Sequence, residues 1–170
     1  MKPNILATLF SALVLSAPTN HAQPSEQQEQ KSPAPHPVKD VTIRASIIAI
    51  PNAAAVQFSA KQDLHGKPAE ALRALEKMAT NRMAIPEANL AATMQFGQFA
   101  EAKSGKFTLE FDAFLSSDDK NANIRIAVTD SGHLIKSFLH VTSGATKFLG
   151  SMQNHADETM TDYIFVRVTY

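Results

Sequence analysis

Apolar side chains recur at every second position through much of the second half of this 170-residue chain, and that period of two constrains its fold more than any other feature. Leu90, Ala92, Met94 and Phe96 alternate up to Gly97. Phe107, Leu109, Phe111, Ala113 and Leu115 alternate up to the polar run 116–121. Ile124, Ile126 and Val128 lead to Ser131-Gly132, and Leu134, Phe138 and Val141 lead to Ser143-Gly144. Ile164, Val166, Val168 and Tyr170 close the chain. Half-buried strands separated by short Gly, Asp, Asn and Ser turns are the pattern of an antiparallel meander.

Upstream, VTIRASIIAI from Val41 is β-branched and becomes apolar on both faces after Ser46, as in a strand covered on both sides. Pro51-Asn52 interrupts it, and Ala55-Val56-Gln57-Phe58 reads as a continuation of the sheet. Gly66 and Pro68 mark a helix start, because proline at the first helical position gives up an N–H that would have no partner there. Ala71, Leu72, Leu75, Met78 and Ala79 then form one apolar stripe over 68–80. A helix this short is marginal alone and must lie on a sheet. The fold class is therefore α+β, a mainly antiparallel sheet with one short amphipathic helix packed on it.

The chain start has the order of a secretory signal: Lys2, an apolar core from Ile5 to Leu15, then small residues at Ser16, Ala17 and Ala22. The core is too short to span a bilayer as a helix. Residues 23–40 hold four prolines and four glutamines with almost no large apolar side chain, the composition of a linker that cannot offset its ordering entropy. The expected organisation is a signal peptide over 1–22, a linker over 23–40 and a folded domain over 41–170, with the protein exported to the periplasm.

Composition narrows the function classes. Sixteen basic and sixteen acidic residues cancel, which argues against a nucleic-acid partner and against a polybasic membrane anchor. There is no cysteine, so disulfides, thiolate catalysis and thiolate metal sites are excluded. Trp is absent and Tyr occurs twice, poor material for the aromatic girdles of a lipid-facing barrel. The six histidines show no standard ligand spacing; His133 and His140 flank one strand and point to opposite faces of it. Glu110 and Asp112 share a strand face, and two acids on a solvated face are the ordinary reading of that pattern. Asp118-Asp119-Lys120-Asn121 lacks the alternating acids and distal Glu of a calcium loop and reads as a hairpin. No catalytic residue, cofactor or metal is expected.

Two glycine motifs punctuate the strands: Gly97-Gln98-x-Ala100-x4-Gly105 and Gly144-x-Thr146-x2-Leu149-Gly150. Each is placed at a strand junction, where Gly97 and Gly144 are expected to take positive φ. Lys106, beside the first motif, reads as an ordinary residue whose truncation costs little. In order and spacing these motifs, with Leu72-Arg73-Ala74-Leu75-Glu76, Pro86, Leu90, Leu109-Glu110-Phe111 and the closing segment from Asp162 to Tyr170, resemble the C-terminal β domain of the bacterial secretins over about 41–170. The resemblance implies an envelope protein linked to a secretion or pilus apparatus.

Several family features are missing. Gly105 runs straight into Lys106-Phe107, where the family inserts its gate. The proline- and glycine-rich stretch before the closing strand is replaced by 152–160, with neither residue type. Ser151 follows Gly150 where a second glycine is usual, and Ala113 stands at the family's proline. The expected function is therefore a non-enzymatic exported module that associates through its sheet edges, with a protein partner or with itself, and does not insert in the membrane. The alternatives are an oligomeric outer-membrane pore component and a small periplasmic enzyme.

Overall fold

The computed structural model describes residues 39–117 and 119–170. The expected signal peptide and residues 23–38 of the expected linker lie outside them. Strand β1 (Asp40–Pro51) leads into helices α1 (Asn52–Lys61) and α2 (Pro68–Thr80). Seven more strands follow: β2 (Ile85–Gln95), β3 (Phe99–Ser104), β4 (Phe107–Leu115), β5 (Asn121–Thr129), β6 (Leu134–Thr142), β7 (Thr146–Gln153) and β8 (Met160–Thr169). The α+β class is as expected, and every strand pairing is antiparallel.

The strands divide into two four-stranded sheets, ordered β2-β1-β8-β7 and β3-β4-β5-β6. Between them lies the main core. Val41, Ile43, Ala45 and Ile47 of β1 and Ile164, Val166 and Val168 of β8 meet Phe107, Leu109 and Phe111 of β4 and Ile124, Ile126 and Val128 of β5. The opposite face of the first sheet is covered by the helices: Ile48, Ile50, Tyr163 and Phe165 pack on Ala55, Phe58, Ala71 and Leu75. Ile47 to Ile50 of β1 and Tyr163 to Val166 of β8 are thus buried on both faces because both are covered there, as the run after Ser46 implies, whereas Arg44 and Arg167 are exposed beyond the helices. Among the described residues no helix lies on the opposite face of the second sheet.

Three expectations change. Ala55–Phe58 do not extend the sheet but lie in α1. Pro51 at φ −54° ends the strand. Asn52 then anchors the turn, its Nδ2 donating to Glu158 O at 2.8 Å and its Oδ1 accepting from Thr161 Oγ1 at 2.7 Å. The run Ala53-Ala54-Ala55 favours helix, and Ala55 and Phe58, three apart, face the sheet. Among the described residues there are therefore two helices rather than one. The second change is that β3 and β7 are strands where the sequence shows only glycine motifs. Third, β1 begins at Asp40, paired with Gln95, one residue inside the expected linker.

Candidate functional site

The two glycine motifs sit where the chain changes sheets. At Gly97 it leaves β2 of the first sheet and enters β3 of the second; at Gly144 it leaves β6 and returns to the first sheet as β7. Both take positive φ, 85° and 84°. In each the amide is turned into the fold: Gly97 N–H donates to Ala113 O at 2.8 Å, and Gly144 N–H donates to Val168 O at 2.7 Å. A residue with a Cβ is strained in that region, so these corners need glycine.

The remaining motif residues are architectural as well. Gln98 shares the first corner, its N–H donating to Gln95 O at 3.2 Å. Ala100 pairs with Phe111 and packs on the main core. Gly105, at φ 57°, and Lys106 form the two-residue turn between β3 and β4. Thr146 opens β7 opposite Arg167, and the register shifts between Phe148 and Gly150, at Leu149. A Cβ on Gly150 would stand 3.1 Å from Ile135 Cδ1, so the two sheets approach closely there. The motifs do not converge on one site.

Two other features carry polar or exposed chemistry. The first is a buried polar knot at the end of the sandwich away from Gly97 and Gly144. Lys106 Nζ donates to Asn154 Oδ1 at 2.8 Å, and Asn154 Nδ2 donates to Asp162 Oδ1 at 3.0 Å. Lys106 Nζ also lies 3.8 Å from Asp162 Oδ2 and 3.9 Å from Glu87 Oε2. Asp162 is fully buried, and its Oδ2 accepts no hydrogen bond. Burial pushes its carboxyl up, against the pull of Asn154 and Lys106, and Glu87 and Asp130 add to the rise. Nearby, burial would raise Asp130 too, but the N–H groups of Gly132 and His133, with His133 and Lys106 charge, hold it below its ordinary value. The rings of His133 and His155 stand edge to face 6.1 Å apart, a proximity that sequence spacing hides. Among the described residues no group of three His, Asp or Glu side chains is placed to hold a metal.

The second feature is the uncovered face of the second sheet. Along one transverse row Phe99, Asp112, Arg125 and Phe138 are paired neighbours across all four strands. Arg125 forks onto Asp112, with Nε donating to Oδ1 at 2.9 Å and Nη2 to Oδ2, and its guanidinium lies 5.8 Å from the Phe114 ring centre. The next row is Glu101, Glu110, Ala127 and Lys136. The small Ala127 leaves an open depression of about 440 Å³, walled by Phe99 and Phe138. Phe99, Phe114, Leu134 and Phe138 are exposed by 63%, 45%, 52% and 66%, which places four large apolar side chains in water on one sheet face. Glu110 and Asp112 do share this outer face.

No family model, curated protein or solved structure matches the chain.

Proposed function

We propose that the chain is a non-enzymatic module of the cell envelope that works by associating with protein. The observation that carries this reading is the uncovered face of the β3-β4-β5-β6 sheet. The other sheet packs the apolar part of its outer face, Ile48, Ile50, Tyr163 and Phe165, under two helices, whereas this one presents Phe99, Phe114, Leu134 and Phe138 on the same face as an ion pair. Apolar side chains gathered on one face mark an interaction site more than the same residues scattered singly. In the polar knot Asn154 bridges Lys106 and Asp162 inside the fold, which favours a structural role for the knot.

An envelope location rests on the signal-like order of residues 2–22. A kinship with the secretin β domain rests on the order of the two glycine motifs, and carries with it the proposed link to a secretion or pilus apparatus. Among the described residues no helix is long and apolar enough to cross a membrane.

A photo-crosslinking amino acid placed at Phe114 in the native host tests the reading. Discrete protein adducts in the envelope fraction are expected, and Phe138→Glu should abolish them. A chain that forms no adduct from this face, and instead resists carbonate extraction and conducts in planar bilayers, would refute it in favour of the pore reading.

A further inference from the structure

We propose that the uncovered sheet face binds a second copy of the same chain, face to face about a two-fold axis running along the strands between β4 and β5. This rests on the reading of the chain as an association module and names the partner.

The order of residues across the rows selects this partner. A two-fold axis parallel to the strands, midway across the sheet, lays β3 of one copy over β6 of the other and β4 over β5. It does not shift residues along the strand, so each transverse row meets its own reverse. The row Phe99, Asp112, Arg125, Phe138 then sets each phenyl ring against a phenyl ring and each Asp112 against an Arg125. The row Glu101, Glu110, Ala127, Lys136 sets Glu101 against Lys136 and drops Glu110 over the gap left by Ala127. On this face the acids Glu101, Glu110 and Asp112 lie on β3 and β4, and Arg125 and Lys136 lie on β5 and β6. Among the described strand residues of this face only Lys103, held by Glu101 at 2.6 Å, departs from that division. A face acidic on one half and basic on the other is complementary to itself under this operation and under few others.

The area is sufficient. Strands about 4.8 Å apart with a rise of about 3.3 Å per residue give a four-strand face of roughly 500 Å² per copy. Two such faces bury about 1,000 Å² together, the lower bound for a specific interface. Packed sheets lie about 10 Å apart, a gap that phenyl rings and long charged side chains fill. The usual crossing of about 30° between packed sheets displaces the outer strands by about half a row, within reach of a Glu–Lys pair.

Sedimentation equilibrium of the protein, as its host processes it, tests the inference with a charge swap. The wild type is expected to dimerise in the micromolar range. E101K and K136E should each weaken the dimer roughly tenfold or more, because each homodimer then opposes like charges twice. An equimolar mixture of the two variants should dimerise again, since every crossed pair is then of opposite sign. The double variant E101K/K136E should also dimerise. Both side chains are exposed, and circular dichroism checks that each variant folds. A monomeric wild type, or a dimer indifferent to both swaps, or a mixture no tighter than either variant alone, overturns the dimer. A monomer that still forms adducts from Phe114 to a different protein overturns the dimer while sparing the association reading; a monomer with no adducts removes both.

Discussion

Replacing Lys106 with methionine tests whether the buried knot is a stabilising device. Lys106 has a side chain only 19% exposed, and it is the nearest cation to the fully buried Asp162. Methionine keeps the length and apolar stem but removes the charge and the bond to Asn154 Oδ1. Removing one partner of a fully buried pair costs about 3–5 kcal/mol; the partial exposure of Lys106 and the 3.8 Å separation lower the expectation to about 2–3 kcal/mol near neutral pH. The sign with pH follows from Asp162. Its folded-state carboxyl is raised, so its contribution is fully present below the unfolded value of about 3.9 and is lost as pH rises through the folded value. Without Lys106 that folded value moves higher still, and the loss extends further toward neutrality.

Urea unfolding between pH 4 and 8 should therefore show the Lys106→Met deficit largest at high pH and smaller near pH 4. Asp162→Asn removes the titrating group and should flatten the dependence. The double variant Lys106→Met/Asp162→Asn should be less destabilised at pH 7 than Lys106→Met alone. A deficit below about 0.5 kcal/mol, the range of ordinary surface substitutions, or one independent of pH, would show that the knot does not stabilise the fold.

Gly97→Val and Gly144→Val should each lower stability by about 1–3 kcal/mol in urea melts, through backbone strain alone, since a Cβ at either position meets nothing within 4 Å. Gly150→Ala should be destabilising by contact with Ile135, and a second change, Ile135→Val, should recover part of the loss in the same melts. Tyr163→Phe removes the hydroxyl that donates to Ala55 O at 3.0 Å and bonds Ser59 Oγ at 2.6 Å, and should cost about 1–2 kcal/mol. Intact-mass analysis from the native host should find a mature chain beginning near Pro18 or Gln23.

Much of the fold is legible because its signals are local. The two-residue period marks β2, β4, β5, β6 and β8, and the stripe from Ala71 to Ala79 with Pro68 marks α2 to within its bounds. Helix α1 is hidden because NAAAVQFSAK is short and only weakly amphipathic, and its start depends on Asn52 meeting a loop more than a hundred residues away. Strands β3 and β7 are hidden because polar and small residues dominate FAEAKS and a bulge breaks the alternation in TKFLGSMQ. The glycine motifs are visible, but their meaning as the two sheet-changing corners is not, because a linear pattern does not say which sheet a strand joins. Lys106 reads as a residue whose truncation costs little because its partners Asn154 and Asp162 are 48 and 56 positions away. The exposed face is concealed for the same reason: Phe99, Asp112, Arg125 and Phe138 become one row only once three strand registers are set.

In the envelope the β3-β4-β5-β6 face is expected to be covered by protein. The chain has no cysteine, so single-cysteine variants report on one position each. Ala127→Cys places a thiol on the floor of the depression, and Lys77→Cys places one on the exposed side of α2. Maleimide labelling in intact envelopes is predicted to spare the cysteine at 127 and to modify the one at 77, with both modified in dilute purified protein. Equal labelling of the two positions in the envelope would mean that the face stands bare there.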